Sequence, residues 1–185
     1  MKKVVIFASG SGSNAENLVN LHHEKFYVVE RIYCNNEHAG IIQRAQRLKI
    51  PLRLFSKNEW DVIIQEIKKI EPEMIILAGF LWKIPANFVN EFNKIMNIHP
   101  SLLPKYGGKG MYGMHVHQSV IDNKEIESGI TIHWVNENYD EGEILFQSSV
   151  EIDQKETAES LAVKIHSLEY KYLPQIVLQE IQNEK

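Results

Sequence analysis

The sequence predicts an α/β fold: a mostly parallel sheet with an antiparallel C-terminal extension and helices on both faces. Apolar runs alternate with helical patterns over the first half of the chain, which is the rhythm of parallel strands joined by crossover helices. The first and fourth runs are almost continuously apolar, as strands covered on both faces must be. Beyond Ile98 the rhythm changes, and two strand-like runs follow each other across a short polar connection.

The first strand is Val4–Ala8, preceded by Met1-Lys2-Lys3. Its apolar stretch is too short for the hydrophobic region of a signal peptide and runs straight into Gly and Ser, so it reads as a strand. Tyr27–Cys34, Leu52–Phe55, Met74–Ala78 and Ile95–Ile98 follow as strands. Helices fall between them at Asn14–His22, Ala39–Leu48, Trp60–Ile70 and Ala86–Phe92. Pro51 and Pro72 mark the exits from two of these helices, because proline lacks the N–H and its ring clashes inside a helix. Residues 100–115, rich in Pro, Gly and Lys, read as a long irregular loop. Ile130–Val135 and Ile144–Val150, joined by Asn136–Glu143, form the hairpin-like extension. A long amphipathic helix from about Thr157 places Leu161, Ile165, Leu168 and Tyr172 at helical spacing. No repeat, low-complexity segment or linker interrupts the chain, so residues 1–185 are expected to form a single domain around a Rossmann-like sheet.

The chain is 44% hydrophobic and 24% charged, with no apolar run near the roughly 18 residues of a membrane span, so no membrane role is expected. A net charge of -4 gives no basic footprint for nucleic acid. Any phosphorylated ligand must be held by a dedicated loop, which points to small-molecule substrates. The lone Cys34 excludes an intramolecular disulfide, fits a reducing, cytoplasmic setting, and reads as a buried structural thiol. Nothing in the sequence distinguishes a monomer from a homodimer.

The first strand ends in Ser9-Gly10-Ser11-Gly12-Ser13-Asn14, and a helix follows. Free backbone N–H groups at such a helix start form an anion site, with small side chains that let a phosphate approach. The third glycine of a dinucleotide fingerprint is missing, since Ala15 follows Asn14. The second strand ends in Asn35-Asn36 rather than in an acidic residue for a ribose, and there is no lysine for a triphosphate loop. A single phosphate monoester fits better, although a turn needing glycine for geometry alone would look the same.

Met96-Asn97-Ile98-His99-Pro100-Ser101-Leu102-Leu103-Pro104 is the most informative segment. Residues two apart on a strand share a side, so Asn97 and His99 project together from its carboxyl end while Ile98 packs the other way. Pro100 ends the strand and keeps His99 extended. An amide and an imidazole converging there suit attack on a carbonyl, with both groups able to donate to a developing oxyanion. An imidazolium needs a carboxylate neighbour to keep its proton. Asp140, in the polar connection Asn136–Glu143, is a candidate, but the residues alone do not separate it from Glu137 or Glu141.

Asn97-Ile98-His99-Pro100-Ser101-Leu102-Leu103-Pro104 resembles the signature of the transformylases that use 10-formyltetrahydrofolate. Tyr139-Asp140-Glu141-Gly142, with Ile144 and Gln147 after it, is similar to that family's aspartate loop. Within the family, Gly12-Ser13-Asn14 and Leu77-Ala78-Gly79-Phe80 resemble the glycinamide ribonucleotide branch. Neither the ACT-type domain of a formyltetrahydrofolate deformylase before these motifs nor the RNA-binding domain of a methionyl-tRNA formyltransferase after them is expected from these residues. The resemblance implies formyl transfer from 10-formyltetrahydrofolate, as co-substrate, to the amine of glycinamide ribonucleotide. It implies Asn97, His99 and Asp140 as the catalytic trio, with Asp140 keeping His99 protonated. It implies Gly12, Ser13 and Asn14 at the substrate phosphate and Glu169 at the ribose. Leu81, Trp82, Lys83 and Ile84 would line the folate pocket together with Asn97, Asn136, Glu137, Asn138, Tyr139 and Asp140.

Three places depart from the family pattern. Trp82 stands where an arginine is common, and the arginine expected before the third helix is absent, with Lys57 nearby. Lys105-Tyr106-Gly107-Gly108-Lys109-Gly110-Met111-Tyr112-Gly113 is longer and richer in glycine than usual, reading either as a flap or as a plain surface loop. His115 and His117 invite a metal with His99, but no carboxylate or thiol pattern completes a site, so none is expected. His133 and the tryptophans Trp60 and Trp134 read as packed core residues. The rival activities are hydrolysis of 10-formyltetrahydrofolate, which has no use for the phosphate loop, and a non-catalytic phosphate-binding module, which has no use for Asn97 and His99.

Overall fold

Along β1 (Lys2–Ala8) the side chains alternate between two cores: Val4, Ile6 and Ala8 pack on one face of the sheet, Val5 and Phe7 on the other. Both faces are dry, which is why the run is apolar throughout. A computed structural model of the chain, describing residues 1–183, extends this pattern outward from β1. Parallel partners are β2 (Tyr27–Cys34), β3 (Leu52–Leu54), β4 (Met74–Leu77) and β5 (Ile95–His99). β6 (Glu127–Trp134) and β7 (Ile144–Glu151) continue the sheet antiparallel. The order is β3-β2-β1-β4-β5-β6-β7. The chain leaves β1 to one side and returns to β4 on the other. The crevice at the carboxyl ends of β1 and β4 is therefore the switch point where open α/β sheets hold ligands.

Helices α1 (Ser13–His22), α2 (Ile41–Leu48), α5 (Met114–Asp122) and α6 (Ala158–Gln182) cover the first core through Leu18, Ala45, Val120, Leu161 and Ile165. α3 (Trp60–Ile70) and α4 (Ala86–Glu91) cover the second through Ile63, Ile67 and Phe88. That second core is aromatic, with Phe7 stacked on Tyr33 and edge-on to Phe55, Phe80 and Phe88.

Element boundaries fall within a few residues of those expected from periodicity. α5 is the exception. It begins inside the stretch read as loop, after Gly113, and buries only Val116, His117 and Val120. A histidine in so narrow a stripe hides the helical period. α6 runs through Pro174, whose ring leaves the carbonyl of Tyr170 without its helical partner. Asn17 of α1 donates to that oxygen at 2.8 Å, which lets the helix continue.

Candidate active site

Gly12 opens α1 in the left-handed region (φ 76°), and a Cβ there would collide with Ile41. Only glycine fits, so the turn between β1 and α1 keeps its small residues and its open amides. No side chain caps α1, leaving its first N–H groups facing the crevice. Asn14 is 9% exposed; its Nδ2 donates to Glu169 Oε2 at 2.9 Å, while its Oδ1 has no partner. Burial raises the Glu169 carboxyl above its ordinary pKa, and the Asn14 hydrogen bond offsets this only in part. On the outer side of the loop, Arg44 Nε donates to the Ser11 carbonyl at 2.9 Å, and Glu16 pairs with both Arg44 and Arg47.

At the end of β5, Asn97 and His99 lie on the same side as Ile95, and Ile98 enters the opposite core. His99 is 4% exposed. Its Nε2–H donates to the Tyr106 carbonyl at 2.8 Å, so any second proton sits on Nδ1. Asp140 Oδ1 lies 3.6 Å from that Nδ1, a distance of ion pairing rather than hydrogen bonding, and 3.7 Å from His133 Nε2. The Gly108 N–H donates to Asp140 Oδ2 at 2.9 Å. Asp140, in a turn with φ 55°, is thus the acidic residue brought to the trio, while Glu137 and Glu141 are not among the groups around His99.

The titration balance differs from that implied by the resemblance. Burial pushes His99 below its ordinary value; Asp140 and the Tyr106 carbonyl pull it up, and burial prevails. Burial would raise Asp140, but the charge of His99 and the Gly108 N–H hold it low. These balances favour an ionised Asp140 beside a His99 that gives up its proton readily.

His133 is more than a packed core residue. Its Nδ1–H donates to the Trp134 carbonyl at 2.9 Å, which leaves Nε2 to accept from Asn97 Nδ2 at 3.1 Å. It faces Asn97 because the antiparallel register pairs those two positions. Sequence reasoning passes over it because cross-strand register is invisible in a periodicity. The chain after His99 is pinned from below. Thr131 Oγ1 donates to the Ser101 carbonyl at 2.7 Å and accepts from the Leu103 N–H at 3.0 Å, while Gln147 Nε2 donates to the Leu103 carbonyl at 3.0 Å.

One cavity of about 970 Å³ lies between the β1–α1 turn, the carboxyl ends of β4 and β5, the 108–114 segment and α6. Gly12, Ser13, Asn14, Leu81, Asn97, His99, Tyr139, Asp140 and Glu169 line it. Trp82, Lys83, Ile84, Asn136, Glu137 and Asn138 are not among the residues that line this cavity. The two segments read as folate-lining do meet, since Lys83 Nζ sits 5.7 Å from the Tyr139 ring centre. Lys57 Nζ lies 5.3 Å from the Trp82 ring centre, so the two departures from the family pattern are neighbours. His117 faces the cavity, whereas His115 packs edge-on against Tyr112 and does not line it. Among the described residues no group of three or more His, Cys, Asp and Glu could hold a metal ion. No helix among them is long and apolar enough to cross a membrane.

The formyl transferase family matches residues 2–177. The phosphoribosylglycinamide formyltransferase of Bacillus subtilis (strain 168) is 34% identical over 189 residues, covering 97% of this chain and 94% of the relative. The chloroplastic phosphoribosylglycinamide formyltransferase of Vigna unguiculata is 37% identical over 190 residues, 95% of this chain, and the chain spans 60% of that relative's length. Among solved structures, glycinamide ribonucleotide transformylase 1 from Geobacillus kaustophilus has a TM-score of 0.89 at 30% identity, covering 98% of this chain and 99% of its own. With the match extending from β1 into α6, the chain belongs to the formyl transferase family.

Proposed function

We propose that the chain transfers the formyl group of 10-formyltetrahydrofolate to the amine of 5-phosphoribosylglycinamide, giving N-formylglycinamide ribonucleotide and tetrahydrofolate. The observation that carries this reading is one cavity that joins a phosphate-type loop to an amide, imidazole and carboxylate cluster. A hydrolase of the same folate has no use for the loop. The α1 amides and the Ser13 hydroxyl take the phosphate. Asn14 Oδ1, a buried acceptor without a donor, and the Glu169 carboxylate take ribose hydroxyls. The folate enters between Leu81 and Tyr139, supplying the formyl carbon.

The amine attacks the formyl carbon, a C–N bond forms, and the bond from that carbon to N10 of the folate breaks. Charge gathers on the formyl oxygen, where Asn97 keeps one amide N–H free and the Nδ1 of His99, once it has taken the proton of the attacking amine, adds a second donor. The amine loses a proton and N10 gains one, with His99 as the carrier and Asp140 holding the imidazolium between the two transfers. Burial makes this proton mobile, because a His99 of lowered pKa releases it readily. The lone buried Cys34 suits work in the reducing cytoplasm.

The test mixes the chain with glycinamide ribonucleotide and a 10-formyl folate and follows folate absorbance, with a control lacking the ribonucleotide. Release of deformylated folate that depends on the ribonucleotide is expected. Release without ribonucleotide would make the chain a hydrolase, and no release with either would make it a binding module.

A further inference from the structure

At the end of β5 the His99 Nε2 meets the carbonyl of Tyr106 at 2.8 Å. A carbonyl only accepts, so the neutral ring carries its proton on Nε2 and keeps Nδ1 as the lone pair that takes a proton. Asp140, 3.6 Å from Nδ1, pulls the other way and favours a proton on that nitrogen. The Tyr106 carbonyl therefore decides which nitrogen is the base, and its own placement is demanding. Tyr106 has φ 57°, a left-handed conformation that a non-glycine residue keeps only when its surroundings hold it. Ser101 Oγ donates to the Lys105 carbonyl at 2.7 Å, which fixes the chain as far as Lys105 and leaves Tyr106 to its own side chain. That ring is partly buried against the first core, and its hydroxyl donates to Glu125 Oε1 at 2.9 Å. Glu125 sits between α5 and β6, where its N–H donates to the Val120 carbonyl at 3.3 Å. Both its carboxylate oxygens also accept from Lys105 Nζ at 3.0 Å, so one side chain grips two consecutive residues. It does not line the cavity.

We infer that, with His99 as the proton carrier of the proposed reaction, Glu125 is a positioning residue: through the Tyr106 hydroxyl it holds the carbonyl that keeps the His99 proton on Nε2. The ion pair with Lys105 is the lesser part, because the Lys105 side chain is 66% exposed and such pairs contribute little. The Tyr106 hydroxyl instead donates to a charged acceptor in a part-buried setting, where a lost bond is felt. Without it the Tyr106 backbone relaxes out of the left-handed region, the carbonyl leaves Nε2, and Asp140 draws the ring proton to Nδ1. A neutral ring protonated there presents no lone pair to the amine and cannot begin the transfer.

The test reads the ring nitrogens of His99 by NMR in the full chain without substrates, at about pH 8, where the ring is neutral. The wild type is expected to show the Nε2–H tautomer, and E125A and Y106F a mixture with the Nδ1–H form. In both variants kcat for formyl transfer is expected to fall on the order of tenfold, with KM for the ribonucleotide nearly unchanged. The double variant should be no worse than either single one, since both break the same bond. E125Q keeps an oxygen for the Tyr106 hydroxyl and is expected to restore the tautomer and most of the turnover. A Glu125 that served stability alone would lower Tm without moving the tautomer. The wild-type tautomer in E125A and Y106F, or an E125Q as impaired as E125A, overturns the inference. A wild type that transfers no formyl group overturns the reading of His99 as carrier, while the tautomer still decides what Glu125 holds.

Discussion

His99 is held by two opposed effects, a dry environment that expels its second proton and a carboxylate that attracts it. Such a balance keeps an imidazole within reach of both protonation states, as a group that accepts and returns a proton requires. His99→Ala is expected to lower turnover on the order of a hundredfold or more, while calorimetric binding of the ribonucleotide persists. Asp140→Asn removes the upward pull, so the His99 pKa moves further down, visible in an NMR titration of its ring nitrogens. An unmoved His99 titration in that variant would mean that Asp140 acts on the substrate alone. His133 extends the cluster by one residue, because its fixed tautomer accepts from Asn97 and so fixes which way the amide points.

At the scale of elements, the site depends on where strands stop and what ties the loops beneath them. β5 contributes Asn97 and His99 at its last turn of pleat, and β6, through Thr131, holds the backbone that leaves it. Thr131 is fully buried, so Thr131→Val keeps the strand and the volume but strands the Leu103 N–H and the Ser101 carbonyl. A loss of about 1–3 kcal/mol in urea unfolding is expected, with turnover reduced as His99 loses its fixed position. Stability equal to wild type would show that water replaces the hydroxyl. The turn between β6 and β7 is similarly constrained, since a Cβ on Gly142 would strike the Trp134 carbonyl. That close approach is what delivers Asp140 to the end of β5.

At the scale of the molecule, His22, His99, His117 and His166 are all pushed below their ordinary pKa, in each case mainly by burial. Below the ordinary histidine range the unfolded chain binds protons that the folded chain resists, so stability is lost as pH falls through that range. Glu169, raised by burial, opposes this trend, because its neutral form is the one the fold favours. With four histidines against one glutamate, Tm is expected to drop by a few degrees between about pH 7.5 and about pH 5.5. A Tm that rises over the same interval would contradict these burial effects.

The α/β order, the doubly covered first strand and the shared side of Asn97 and His99 were all readable from the sequence. Each rests on a local period, 2 along a strand or 3.6 along a helix, that the residues display directly. The glycine turn after β1 was readable for the same reason, because its geometry is set within a few neighbouring residues. The selection of Asp140, the bonding of His133 to Asn97, the approach of His166 to Ser13 and the start of α5 were decided only in three dimensions. In the first three, residues far apart in the chain are brought within a few ångströms by strand register or helix packing, and no spacing in the sequence records that. In the last, too few apolar residues mark the helix for its period to show.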